Sequence, residues 1–219
     1  MEDIILKLFD VPKFGETILI TYPPSFVPEF VVLKLLQYAR EKEIPVLIDD
    51  NFDALAVLIT RLRLLGINLN LGEAYVIKTG GKQRIGKVVG EIKRTSEPRV
   101  YLREYSKIFE EISKELGEYI NIVLGIEALF KSMNSPLEIY LSLMEVQRFL
   151  GNTSRKAFYL VNKDVLETLP FPIKIELERI ASSIAEIEPI STNAHVRILK
   201  TTAPDFIGRE ITVDIGGEL

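Results

Sequence analysis

The chain has 219 residues, of which 47% are hydrophobic and 26% charged, as in a folded domain with a sizeable core and no disorder signature. It holds no cysteine and one histidine, which excludes disulfides and thiolate metal sites and leaves no basis for a histidine-based metal centre. Its net charge of −4 and pI near 5.3 argue against a broad nucleic-acid-binding surface.

No uncharged apolar run approaches the roughly 20 residues that span a bilayer, and the acidic start Met1-Glu2-Asp3 lacks the basic region of a secretory signal. The expectation is a cytoplasmic protein without membrane contact. Abundant Ile, Leu, Lys and Glu, with no Cys or Trp, suit a heat-adapted intracellular protein.

In chain order, residues 2–9 read as a short amphipathic helix within an N-terminal segment 1–14, broken by Pro12 and Gly15. A β-branched run, Thr17 to Thr21, then meets Pro23-Pro24, and a helical pattern follows from Pro28 to Glu41 with Val31, Val32, Leu35 and Leu36 on one face. Val46 to Ile48 reads as a buried strand. Asp50 or Asn51 is placed to cap a helix that runs through Leu65 and stops at Gly66. This β-α-β-α order predicts a parallel sheet.

Residues 73–94 change character. Ala74–Thr79 and Ile85–Ile92 are strand-like around Gly80-Gly81-Lys82, a pattern that predicts a hairpin. A second phosphate site at Gly-Gly-Lys is less favoured, because no helix N-terminus follows it. Residues 101–117 form an amphipathic helix stopped by Gly117, and Tyr119 to Leu124 is an apolar strand. Pro136 starts another helix (Leu137–Leu150), Ala157–Val161 is a short buried strand, and Pro170 and Pro172 bracket the entry to a helix ending near Ser182. Ile184–Ile187, His195–Lys200 and Glu210–Ile215 read as antiparallel closing strands, since no helix-length segment separates them.

Strand, loop and helix at residues 16–31 share the layout of a phosphate-binding loop, G-x-x-x-x-G-K-S/T, without its chemistry. Laid on residues 22–29, the two glycine positions hold Tyr22 and Val27, the lysine position Pro28, and the hydroxyl position Glu29. Pro28 offers neither cation nor backbone donor, Tyr22 and Val27 resist the positive φ of a phosphate nest, and Glu29 puts negative charge where phosphate would sit. The strand that ends a phosphate-loop ATPase core carries an Asp that orients Mg²⁺; here Leu124 is followed by Gly125, with Glu127 two residues on. No cofactor and no metal is expected.

The order and spacing of these segments resemble the RecA-like ATPase domain of the KaiC family from Gly15 onward, and more narrowly a small family of uncharacterised proteins from hyperthermophilic archaea. Gly15-Glu-Thr-Ile-Leu-Ile-Thr21 with Pro23-Pro24 looks like that family's strand and loop, and Pro45 to Ile67 like its second β-α unit. Val196-Arg-Ile-Leu-Lys200 looks like its late strand with a Lys-x-Arg pair, which in family oligomers faces the neighbour's nucleotide; Lys200 matches, and Thr202 stands where Arg would. The resemblance implies one three-layer α/β/α RecA-like domain over 1–219, with a mainly parallel central sheet.

The leading functional expectation is a non-catalytic binding or assembly module. Its loop Tyr22-Pro23-Pro24-Ser25-Phe26 is expected to expose Tyr22 and Phe26 to a peptide or protein partner, or a second copy, with Lys200 contributing. The same aromatics acting as a plug for the crevice is weighed equally. A second class is an enzyme with an atypical site using Asp49, Asp50, Asp53, Glu127 and Lys200. A third is nucleic-acid binding through the locally basic Lys78, Lys82, Arg84, Lys87, Lys93, Arg94 and Arg99, for which a solvated edge guarded by lysines is the preferred explanation. His195 reads as a strand residue near a turn, not a ligand.

Overall fold

Strand β1 (Thr17–Tyr22) buries both of its faces, Ile18 and Ile20 on one side and Leu19 on the other. Two-sided burial belongs to a strand inside a parallel sheet with helices on each face, and β1 lies there. The computed structural model describes residues 4–93, 98–169 and 171–215. Within them, β1 is joined by β2 (Val46–Asn51), β3 (Tyr75–Thr79), β4 (Lys87–Ile92), β5 (Tyr119–Leu124), β6 (Arg155–Asn162), β7 (Ser183–Ile190), β8 (Asn193–Lys200) and β9 (Glu210–Asp214). They form one nine-stranded sheet in the order β4-β3-β2-β5-β6-β1-β7-β8-β9.

Helices α1 (Ile4–Asp10), α2 (Glu29–Glu41) and α3 (Ala54–Leu64) pack on one face, where Phe9, Val32, Leu35, Leu55 and Leu62 meet Ile18, Ile48 and Ile122. The other face is covered by α4 (Pro98–Leu116), α5 (Ile126–Lys131), α6 (Pro136–Arg148), α7 (Lys163–Glu167) and α8 (Ile173–Ile180). The result is the expected three-layer α/β/α architecture. Local chemistry sets several helix starts. Ser135 Oγ accepts the Glu138 N–H at 3.2 Å while the Glu138 carboxylate accepts the Ser135 N–H at 3.2 Å, a reciprocal capping box ahead of Pro136. Asp50 Oδ1 takes the Leu55 N–H at 2.9 Å and so serves the start of α3, whereas Asn51 turns away and donates to the Leu124 carbonyl at 2.8 Å.

Two expectations about strand direction are corrected. Residues 73–94 are not a hairpin: β3 and β4 pair in parallel. Gly80 and Gly81 do bend the chain, with φ of +65° and +71°. The Asp53 carboxylate then accepts the N–H groups of Lys82 and Gln83 at 2.7 and 2.9 Å. That grip draws the chain toward α3, Ile85 packs onto the α1–α3 core, and the chain re-enters the sheet edge in the same direction as β3. Of the closing strands, β7 runs parallel to β1, and only β8 and β9 are antiparallel additions. Residues 1–3 of the expected N-terminal helix and Pro170 lie outside the described residues. Among the described residues no helix is long and apolar enough to cross a membrane.

Candidate functional site

The carboxyl ends of β1, β2, β5 and β6 surround a crevice of about 330 Å³, the position at which open α/β sheets bind their ligands. Tyr22, Phe26, Glu29, Arg61, Glu127 and Asn162 supply its chemistry, with Phe52, Val57 and Leu58 among its apolar walls.

The loop after β1 forms one side. The Phe26 N–H donates to the Pro23 carbonyl at 3.0 Å, a tight turn that swings the ring inward. Phe26 is 3% exposed and touches the Tyr22 ring at 6.0 Å between centroids. The expectation of exposed aromatics is therefore corrected: Phe26 is core and Tyr22 half-buried, while Pro24 and Ser25 project into solvent and Pro23 is half-buried. Fully burying a phenylalanine ring contributes about 2 kcal/mol, which is why the turn resolves inward. At the start of α2 the amides of Phe30 and Val31 bond the carbonyls of Val27 and Pro28 at 3.3 and 3.0 Å, and Pro28 has no N–H.

Glu29, the first residue of α2, is 1% exposed. Its Oε1 accepts from Arg61 Nη1 at 3.3 Å, across to α3; its Oε2 is buried without a hydrogen-bond partner among the described residues. Glu127 on α5 repeats the pattern, with a buried, unpartnered Oε2. Burial raises the Glu127 pKa, and the backbone N–H groups of Glu127 and Asn162 pull it back only in part. The Tyr22 hydroxyl is pushed above its ordinary range first by burial, then by the charges of Glu127 and Glu29, with Arg61 opposing. Both carboxylates thus bear on the Tyr22 hydroxyl. Gly125, between β5 and α5, has φ +70°, and a Cβ there would lie 2.5 Å from the Asn51 carbonyl oxygen, so the backbone leaves no room for a side chain at this position. Among the described residues no group of three or more His, Cys, Asp or Glu is arranged to hold a metal ion.

The remaining candidates are dispersed. Lys200 sits at the opposite end of the sheet, beside Ile184 in β7, where Nζ donates to the carbonyls of Glu178 (3.0 Å), Arg179 (3.4 Å) and Ala181 (2.5 Å). It closes the C-terminus of α8, a favourable place for a cation, and does not meet Tyr22 or Phe26. Thr202 donates to Glu16 Oε1 at 2.6 Å at that same end. Asp49 and Asp50 point to opposite faces of β2, so they are no catalytic pair. Asp50 binds Lys78 Nζ at 3.2 Å, and Asp53 forms a second, short ion pair with the same ammonium. Burial lowers the Lys78 pKa, but Asp53 and Asp50 outweigh it and the net direction is up. Lys78, at 1% exposed, is thereby removed from the basic stretch; Arg84 pairs with Glu91 at 3.3 Å and Lys87 lies over the Tyr75 ring at 4.1 Å. Arg94 and the side chain of Arg99 lie outside the described residues. His195 is a β8 residue within 3.4 Å of Glu210.

One polar cluster escaped the sequence reading. Under α4 and α6, Asp49 accepts from Asn121 Nδ2 at 2.8 Å and from the Tyr105 hydroxyl at 3.2 Å. Asn121 Oδ1 accepts from Arg155 Nε at 2.8 Å, and Arg155 Nη2 donates to the Tyr159 hydroxyl at 2.9 Å. Burial pushes the Asp49 carboxyl up to about 6, against the pull of Asn121, Arg155 and Tyr105. The available signal was Asn121 and Arg155 standing at inward positions of otherwise apolar strands.

No curated protein matches the chain. Among solved structures, the Pyrococcus horikoshii OT3 protein PH0250 is similar at 27% identity, with TM-score 0.80 over 94% of this chain and 97% of that one. The KaiC-like protein PH0186 from the same organism is similar at 13% identity, TM-score 0.65, over 93% and 88%. The flagellar accessory protein FlaH from Methanocaldococcus jannaschii follows at 16% identity, TM-score 0.60, over 98% and 93%. These likenesses establish the KaiC/RecA-like fold. Residues 7–212 match the family described as Pyrococcus protein of unknown function, DUF257, and the chain belongs to that family.

Proposed function

We propose that this chain is a non-catalytic KaiC/RecA-like module whose carboxyl-end crevice serves a protein partner in place of a nucleotide. The observation that carries the reading is Glu29: a buried carboxylate with an unpartnered oxygen occupies the helix start at which a phosphate would be held. Three further features agree. The amides of Phe26, Phe30 and Val31 are already bonded to loop carbonyls, Pro28 replaces the phosphate-binding lysine, and the position after β5 is closed to any side chain. A nucleotide triphosphate with its Mg²⁺ does not fit these residues, because two carboxylates would face its charge and the cation that the described residues bring to the crevice, Arg61, is already paired with Glu29.

The fold neighbours supply the architecture alone, and the absent phosphate chemistry is argued from this chain's residues. Two assays test the reading. Incubation of the purified chain with Mg-ATP or Mg-GTP releases no phosphate above the buffer rate, and equilibrium dialysis leaves the nucleotide evenly distributed. Saturable retention of nucleotide by the unmodified chain overturns it.

A further inference from the structure

The crevice also indicates what it receives. We infer that its ligand is an alkylammonium or alkylguanidinium group, the side chain of a lysine or arginine carried on an extended segment of the protein partner. This rests on the reading above, that the crevice serves a partner and not a nucleotide.

Charge complementarity is the first ground. The crevice is lined by two carboxylates, Glu29 and Glu127, and the cation that the described residues bring to it is Arg61. Arg61 is 59% exposed along its side chain and meets one Glu29 oxygen, at 3.3 Å. One Oε2 on each carboxylate is left shielded from water and without a partner. Buried acceptors in folded proteins are nearly always satisfied, so a pair of orphans at one crevice points to a donor that arrives from outside.

The shape of the site selects the donor. A lysine ammonium offers three donors and an arginine guanidinium five in a planar fork, so either carries enough donors for the two orphan oxygens and the Tyr22 hydroxyl that line the crevice. The aliphatic stem of either would lie along Phe52, Val57 and Leu58, the apolar walls. A bare Ca²⁺ ion takes six to eight oxygen ligands and Mg²⁺ about six in strict geometry, and the described residues assemble no such set. Pro24 and Ser25 project into solvent at the rim, where the backbone of an extended segment would run.

The test uses the full chain, ¹⁵N-labelled, titrated with acetyl- and amide-capped Ala-Ala-Xaa-Ala-Ala peptides in which Xaa is lysine, arginine or the neutral norleucine. Lysine and arginine peptides shift the amides of Tyr22, Glu127 and Asn162 saturably, and norleucine binds at least tenfold more weakly. Glu127→Gln weakens the lysine peptide at least fivefold, with Glu29→Gln as an independent second variant, each retaining a dispersed native spectrum. Equal binding of norleucine, or no response to lysine and arginine, overturns the inference. So does a response to MgCl₂ alone, or a more than tenfold preference for free spermidine over both cationic peptides. Saturable Mg-ATP binding at the same amides overturns the partner reading beneath it, whereas silence toward both nucleotide and cationic peptides overturns this inference alone.

Discussion

Replacing Asp49 by asparagine tests the electrostatics of the interior. The carboxyl is 4% exposed, sealed under α4 and α6, and burial raises its pKa from 3.8 to about 6. Each pH unit of displacement corresponds to about 1.4 kcal/mol of differential stability, so the ionised carboxylate costs the fold roughly 3 kcal/mol. The sign follows from proton binding. Between pH 3.8 and about 6 the folded chain holds a proton that the unfolded chain has released. Stability from this group is therefore complete below the unfolded value and is lost as pH rises through the folded one. Asparagine mimics the protonated form in shape and hydrogen bonding and does not titrate. Guanidinium unfolding of both proteins, from pH 4 to 7.5, should show the wild type losing about 2.5 kcal/mol relative to Asp49→Asn, most of it by pH 6. Comparing the two cancels the titration of every other group. A difference constant across that range, or one that narrows as pH rises, refutes the reasoning.

Three further substitutions probe parts of the scaffold. Phe26→Ala should cost about 3–5 kcal/mol in a denaturation midpoint measurement, because the ring is core and not a surface contact; a cost under 1 kcal/mol would contradict its placement. Lys200→Met should destabilise by about 1–3 kcal/mol, since the last carbonyls of α8 lose a charged donor, while leaving the peptide titration of the crevice unchanged. In Gly81→Ala, a Cβ would fall 2.3 Å from Asp53 Oδ1 at a backbone φ of +71°. Thermal melting should show a loss of at least about 1 kcal/mol, and hydrogen exchange should show earlier opening of β4 than of β1.

The fold was legible where one period dominated. The two-sided apolar run of β1, the helical spacing of Val31, Val32, Leu35 and Leu36, and Pro136 at the start of α6 each state their element locally, and the structure agrees. The direction of β4 was not legible, because glycines specify a bend and not its destination. That choice is made by Asp53, bonded to Lys82 and Gln83 across separations of 29 and 30 residues. Long-range polar pairing hid the interior cluster in the same way: Asp49 finds Asn121 over 72 residues, and Asn121 finds Arg155 over 34. In the crevice, Pro28 and Glu29 are the sequence features on which the proposed loss of phosphate chemistry rests. What could not be read was which side chains turn inward. Phe26 and Lys200 are both satisfied inside the fold, whereas Glu29 and Glu127, from α2 and α5, come together only through the sheet.

The central claim is that this crevice repels a triphosphate, and thermal unfolding of the unmodified chain in millimolar Mg-ATP tests it most directly. The account predicts a melting temperature indistinguishable from that in MgCl₂ alone. A ligand present at 100 times its Kd would stabilise the fold by about 2.7 kcal/mol, and a rise in melting temperature of that size would contradict it.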